Sequence, residues 1–433
     1  MTTLEAIRTR TARLLGDDAG WGTSDLGAHL RRHGPLALPQ RFGAGWTDRL
    51  LDEIERSGLT GRGGAGFPSH RKLRLVRSAG PRSRPVLLVN AMEGEPASGK
   101  DRFLVGSSPH LVLDGAALVA GVLGAEKIVV CIPDDRPELG RILVGALRER
   151  DGAGWSSTPV GIRPLAGRYI AGEESALAAG VNGRPGVPEY RPDKSVPVTM
   201  GRTVTIVHNV ETLAHVALIA RHGADWFREV GTAEAPGTCL VTVSGAVERP
   251  GVVEVATGTP IDEIVGLAGP TRPVQAVLVG GYGGTWVSGE ELTTPYGPGA
   301  LRSVGGSMGA GVLVALPVEA CGIRETERIA RFMAAESAGQ CGPCLFGLPA
   351  LADDLRAIAQ GTGGQQAFDR LLGHCEAVDG RGACRHPDGV VRLVRSALKV
   401  FAGDLAGHLR GSPCGGSEKA SLLVLPPVGH ERR

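Results

Sequence analysis

The feature that most constrains this chain is an alternation between residues 84 and 150. "RPVLLVNA" (84–91) is an apolar run of strand length, and "SPHLVLDGAALVAGVLG" (108–124) carries helical spacing. "KIVVCI" (127–132) is again strand-like, and "RPELGRILVGALRER" (136–150) again helical. Strand and helix in turn predict an α/β fold, a parallel sheet with helices on its faces. Such sheets gather ligands at the carboxyl ends of their strands. "TVTIVHNVETLAHV" (203–216) adds a strand-like run that leads into Asn209 and Thr212.

With 433 residues the chain exceeds one ordinary core. The texture divides it into an α/β domain over 1–235, a small α+β domain over 236–322 and a helical bundle over 323–433. Residues 1 to about 45 read as a lead-in that packs on the first domain. In the last domain Val391, Val394, Leu398, Phe401 and Leu405 step by three and four, a core-facing stripe. A net charge of +2 without a long basic block implies no nucleic-acid partner. No apolar run approaches the ~20 residues of a membrane helix, and "MTTLEAIRTRTARLL" lacks the apolar centre of a signal peptide. The expectation is a cytoplasmic protein with no direct membrane insertion.

Four segments carry candidate chemistry. In "GLTGRGGAGFPSHRK" (58–72), glycines 61, 63, 64 and 66 free the backbone to approach a ligand and turn N–H groups toward phosphate. Arg62 and Lys72 add charge, and Phe67 offers a flat face. "VNAMEGEPASGKDR" (89–102) places Asn90, Glu93 and Glu95 just past a predicted strand. "AGRYIAGEESALAAGVNGRPG" (166–186) opens a helix with Gly172, Glu173 and Glu174, and the fourth segment ends at Asn209 and Thr212. Ordinary helix capping explains any one of these acids or amides, but explains all four segments poorly. Five of the eight cysteines fall in the last quarter, which in a reducing compartment points to a metal or cluster site. Cys131 reads as a buried structural thiol.

Taken together, "GLTGRGGAGFP", "NAMEGEP", "YIAGEESAL", "HNVETLA" and "ESAGQCGPC" resemble the NADH-binding FMN flavoprotein subunit of respiratory complex I, shared with NAD-linked hydrogenases and formate dehydrogenases. The resemblance covers about residues 45 to 410. It implies a Rossmann-like first domain, a β-grasp (soluble-ligand-binding) module and a helical iron–sulfur-type domain. It implies that Gly61, Arg62, Gly63, Gly64, Ala65, Gly66 and Lys72 hold FMN, with Asn90, Glu93, Gly172, Glu173, Asn209 and Thr212 at further cofactor positions. Phe67, Glu95 and Glu174 match positions lining NAD(H) or NADP(H), Glu95 being the one given a catalytic part. Cys341, Cys344 and Cys384 match three ligands of a 4Fe-4S cluster.

The chain departs from the family at Met92, where Asp is common, and at His208, where Asn is. In "YRPDKSVPV" (190–198) the stacking phenylalanine is missing, while Arg191 and Lys194 keep the pocket basic, which leaves NADPH open. Ala338 replaces the first cluster ligand. Cys375, Cys414, His374 or His386 then serves as a substitute, or one iron stays open or absent, or the cluster is lost. The function implied is an NAD(P)H oxidoreductase passing a hydride to FMN and single electrons to an iron–sulfur acceptor. A ferredoxin or ferredoxin-like electron-transfer subunit is the partner expected. A fold-retaining scaffold without turnover is the alternative.

Overall fold

The computed structural model describes residues 5–7, 11–16, 25–36, 43–78, 84–155, 158–192 and 196–426. Eleven strands are found among them: β1 (Glu5–Ile7), β2 (Val86–Asn90), β3 (Lys127–Pro133), β4 (Val160–Leu165), β5 (Thr199–Met200), β6 (Thr203–Asn209), β7 (Thr238–Gly245), β8 (Gly251–Ala256), β9 (Val274–Val279), β10 (Thr285–Ser288) and β11 (Val312–Pro317). The alternation beginning at residue 84 builds a sheet of order β4-β3-β2-β6-β5. β4, β3, β2 and β6 run parallel, and only β5 is antiparallel. Helices cover both faces. Leu87 and Val89 point into one apolar layer with the helices Pro109–Leu123 and Val210–His222. Val86 and Leu88 point into the other with the helix Glu174–Val181. This opposition follows from the two-residue repeat of a strand.

The helices Pro109–Leu123 and Val210–His222 touch backbone to backbone. A β-carbon on Gly115 would lie 1.9 Å from the Leu213 carbonyl oxygen. Gly115→Ala is therefore expected to cost about 1–3 kcal/mol of stability, read as a lower urea midpoint. An unchanged midpoint would mean that the crossing can open freely. The neighbouring Asp114 is fully buried and held by Arg150 at 2.8 Å, Arg221 at 2.5 Å and His29 at 2.9 Å.

The second sheet has the order β1-β8-β7-β11-β9-β10. Its strands also alternate: Val277 and Val279 enter the module's own core, whereas Ala276 and Leu278 enter the core of the C-terminal helices. One face thus supports the bundle, and the predicted small α+β unit is present as a β-grasp-type sheet. The lead-in does more than pack on the first domain. Leu14 and Leu15 join the first core, but Glu5–Ile7 pairs with β8 of the second sheet. The helical stripe at the C-terminal end is interrupted. Helix His386–Val400 ends, Phe401 takes φ −104° and ψ 31°, and helix Ala402–Leu409 begins. Val391, Val394, Phe401 and Leu405 are buried, and Leu398 is only partly so.

No single helix among the described residues is long and apolar enough to cross a membrane. The pair Lys100–Ser107 and Pro109–Leu123 reaches that length together, but bends by 97° and lies in the protein core.

Candidate functional site

The strand order reverses between β2 and β6: β3 and β4 extend to one side of β2, β6 to the other. A crevice opens at such a switch point. The strand register sets Asn90 directly beside Asn209 there. Asn90 Nδ2 donates to the Gly172 carbonyl at 2.9 Å, and its Oδ1 accepts from Met92 N at 3.1 Å. Asn209 Oδ1 caps the helix Val210–His222 by accepting from Glu211 N at 2.9 Å, and Nδ2 donates to Asp101 at 2.5 Å. Behind them lies a buried charge cluster that sequence reading missed. Lys100 Nζ reaches Asp101 at 2.6 Å and Glu211 at 2.8 Å. Burial alone would lower the lysine; the two carboxylates outweigh it and hold the ammonium charged. Nothing in a lone Lys-Asp pair signals this, because Glu211 comes from another element.

The glycine-rich loop lies against this crevice. Thr60 bridges Pro68, and Gly61 N donates to the Phe67 carbonyl at 2.9 Å, closing the loop on itself. Gly64 takes φ +103° with its α-carbon facing Gly309, and Gly66 takes φ +63°. A β-carbon on Gly63 would stand 3.3 Å from the Asn209 β-carbon, so the loop backbone abuts the strand end. Phe67 is 49% exposed and leaves its ring free. Arg62 does not offer its charge to the crevice as the sequence suggested. Its backbone N–H donates to Thr212 Oγ1 at 2.8 Å, and its buried guanidinium donates to the Thr238 carbonyl at 3.1 Å and the Pro236 carbonyl at 3.3 Å. It is a strut between the loop and β7. The cation at the crevice is instead Lys72, whose Nζ donates to the Val207 carbonyl at 2.7 Å and meets Glu174 at 3.0 Å. Beside it His208 is held neutral, lowered to about 3 by burial and then by Lys72, with Nε2 buried and unpartnered.

The acids divide by role. Glu93 adopts φ +40°, and its carboxylate accepts from Ser98 Oγ, Asp101 N and Arg102 N at 2.8, 2.8 and 3.1 Å. Glu173 likewise caps the helix Glu174–Val181, accepting from Ser175 N at 2.9 Å and Ala176 N at 3.1 Å. Both carboxylates are committed to helix starts. Glu174 points to Lys72, with Arg191 at 3.9 Å. Lys194 lies outside the described residues. Met92 is buried in the apolar layer beneath the crevice. Glu95 is also buried, accepting from Tyr282 N at 2.8 Å, Ala97 N at 3.2 Å and Tyr169 Oη at 3.3 Å. Burial pushes its carboxyl up to about 7 against these donors.

A cavity of about 240 Å³ shares Gly61, Arg62, Gly64, Ala65 and Gly66 with the crevice. Its remaining lining, including Lys100, Glu211, Tyr296 and Met308, contains none of Asn90, Lys72, Glu95, Glu173 or Glu174. The crevice at the strand ends, where the polar groups converge, is the better candidate site.

Cys341 precedes the short π-helical turn Pro343–Gly347, Cys344 lies within it, and Cys384 precedes the helix His386–Val400. Burial, then Cys341 and then Cys384 raise the Cys344 thiol to about 12, so Cys344 lies within electrostatic reach of both. Ala338 offers no ligand at the first family position. Of the substitutes, Cys375 is sealed in the bundle core, His374 is paired with Asp354 at 2.9 Å, and Cys414 stands beside Cys321 and His408. His386 Nε2 donates to the Met333 carbonyl at 2.8 Å, and Nδ1 stays buried without a partner.

The segment Tyr169–Glu173 joins the two centres. At one end the Gly172 carbonyl holds Asn90; at the other, Tyr169 N donates to Glu336 at 3.1 Å, and the Tyr169 ring meets His386 edge-on at 5.4 Å. Glu173 acts electrostatically on Cys384.

This arrangement defines a class: a nucleotide-type α/β domain with a β-grasp module and a cysteine-bearing helical bundle. The chain belongs to the family of NADH-quinone oxidoreductase F subunits. Residues 54–218 match the Nuo51 FMN-binding domain, 240–275 the SLBB domain, and 324–408 the NADH-ubiquinone oxidoreductase-F iron-sulfur binding region. The NADH-quinone oxidoreductase F 2 subunit of Rhizobium meliloti (strain 1021) is 32% identical over 395 residues, 88% of this chain and 93% of the relative. The NADH-quinone oxidoreductase F subunit of Escherichia coli (strain K12) is 32% identical over 370 residues, covering 82% and 83%. A chain of the H2-reduced NAD+-reducing [NiFe]-hydrogenase superposes with a TM-score of 0.82 at 30% identity, over 94% of this chain and 68% of that one.

Proposed function

We propose that this chain oxidises NADH at an FMN held in the crevice and sends the electrons through an iron–sulfur centre to a partner subunit. The observation that carries this reading is the segment Tyr169–Glu173, which holds Asn90 of the flavin cradle at one end and packs on Glu336 and on His386, two residues past Cys384, at the other. The residues fit FMN: a bare backbone loop at 61–66, a cation at Lys72, and the unpartnered Nε2 of His208 beside it. Asn90, Gly172, Asn209 and Thr212 shape the cradle, the last two partly through bonds they make within the protein. Bound FMN supplies the chemistry that side chains lack, taking a hydride and releasing electrons singly. Phe67 gives the dinucleotide a face to stack on, and Glu174 with Arg191 sets the charge at the mouth. Arg191 admits NADPH as well as NADH. Glu95 lies behind the Tyr169–Glu173 segment, bound to Tyr169 Oη, with its carboxyl raised by burial to about 7.

Cys341, Cys344 and Cys384 fit three of the four thiolates that a 4Fe-4S cluster takes. Ala338 leaves one iron without a cysteine. The acceptor is an iron–sulfur protein of ferredoxin type, and the assembly acts in the cytoplasm.

The test is anaerobic purification followed by NADH titration. Flavin bands that bleach with NADH, and a broad visible shoulder that Cys384→Ser removes together with iron, are expected. Iron retained in full by Cys384→Ser would remove that residue from the cage. A folded protein that stays colourless after reconstitution with excess FMN would leave only a scaffold.

A further inference from the structure

Away from the crevice and the cage, three metal-ligating side chains meet where the C-terminal tail crosses the start of the helix Gly322–Ala335. The ligand atoms of Cys321, His408 and Cys414 all lie within 4.8 Å of one another. Cys321 and His408 are buried, and Cys414 is half-buried. They converge from a strand-to-helix turn, a helix end and the tail.

The histidine is already oriented as a ligand. Its Nδ1 lies 3.2 Å from the Ile358 carbonyl, a contact that only an N–H can satisfy, so Nε2 carries the lone pair. Nε2 stands 3.3 Å from Cys321 Sγ. A carbonyl that fixes the far ring nitrogen is the usual support for a metal-bound imidazole. Zinc bonds of about 2.3 Å to sulfur and 2.0 Å to nitrogen in a tetrahedron set the S···N separation at about 3.5 Å. The observed spacing needs only a small adjustment. Cys321 Sγ also accepts from Arg324 N at 3.3 Å, capping the helix Gly322–Ala335 and fixing the sulfur's position.

We infer that Cys321, His408 and Cys414 bind one zinc ion that pins the C-terminal tail to the bundle, independently of Cys341, Cys344 and Cys384. Two soft thiolates and an imidazole select zinc over magnesium or calcium. Water, or Asp404 one turn before His408 on the same helix and within electrostatic reach of Cys321, would complete the tetrahedron. The tail is held closely beyond the site. A β-carbon on Gly416 would lie 2.6 Å from the Glu319 carbonyl, Ser421 Oγ donates to Glu325 at 2.8 Å, and Arg328 donates to the Lys419 carbonyl at 2.7 Å. The strap ends where Tyr282 Oη donates to the Val424 carbonyl at 2.6 Å, and the same tyrosine's N–H holds Glu95. Zinc at its root would stabilise the element behind that carboxylate. It would also engage Cys414, removing it from the cage's candidate ligands.

Elemental analysis of the full chain, purified without added metal, decides the matter. About one zinc per chain is expected in the wild type and in Cys384→Ser, falling below about a fifth in Cys414→Ser. Iron in Cys414→Ser should match the wild type. Cobalt(II) exchanged into wild-type protein should show a thiolate charge-transfer band, and removing the metal with a chelator should speed proteolysis of residues 411–426. These wild-type measurements decide even if the variant fails to fold. Zinc-free wild type without a cobalt band, zinc retained by folded Cys414→Ser, or iron lost with Cys414 would overturn the inference. So would a Cys321–Cys414 disulfide trapped by alkylation under anaerobic conditions.

Discussion

Gly64→Val is expected to strip the flavin while leaving the chain folded. Gly64 takes φ +103°, a backbone state that side chains rarely enter, and a β-carbon would meet the Gly309 carbonyl oxygen at 3.3 Å. Holding a branched residue there costs about 1–3 kcal/mol, and the loop is the part best able to relieve it by moving. The rest of the fold has little reason to follow, because Gly61 N still closes on Phe67 and Arg62 still binds Thr238. A loop displaced from its ligand geometry should lose about ten- to hundred-fold in FMN affinity, since each 1.4 kcal/mol is tenfold. Flavin retained per chain after gel filtration, and fluorescence quenching on re-addition of FMN, measure it. Unchanged affinity alongside an unchanged melting temperature would show that this loop does not hold the flavin.

The parallel sheet and its site edge were legible because strand-helix alternation fixes them locally. Asn90 and Asn209 stood out for that reason, and register then placed them side by side. Roles that depend on distant partners were not legible. Arg62 reads as a ligand cation among glycines, yet its partners at 236 and 238 lie across a domain junction. Nothing around Lys100 in the sequence announces its partner Glu211, which is brought against it from the distant helix Val210–His222. The capping alternative turned out to describe the carboxylates of Glu93 and Glu173, while Glu174, one residue later, is left to pair with Lys72. Cys321 and Cys414 are 93 positions apart, and no spacing rule for clustered cysteines joins them.

Glu95→Gln is expected to remove a pH dependence centred near neutrality. Glu95 is buried among Ala97, Tyr169 and Tyr282, and its carboxyl is raised from the ordinary 4.5 to about 7. Burial is the largest cause; the donors from Tyr282, Ala97 and Tyr169 oppose it, and the Glu93 carboxylate adds to it. Between those two values the folded chain binds more protons here than the unfolded chain. Stability from this group is therefore full below about 4.5 and falls as pH rises to about 7, by about 3 kcal/mol at 1.36 kcal/mol per unit. The glutamine cannot ionise, so its melting temperature should fall less than the wild type's between pH 5 and pH 8. The same ionisation changes the charge beside Tyr169, at the start of the segment that holds Asn90. NADH-driven flavin reduction in the wild type should accordingly show an inflection near pH 7 that the variant lacks. Melting temperatures across that range, with stopped-flow reduction rates on the same samples, measure both effects. Parallel pH profiles for the two proteins would mean that Glu95 does not titrate in this window and takes no part in setting the site's charge.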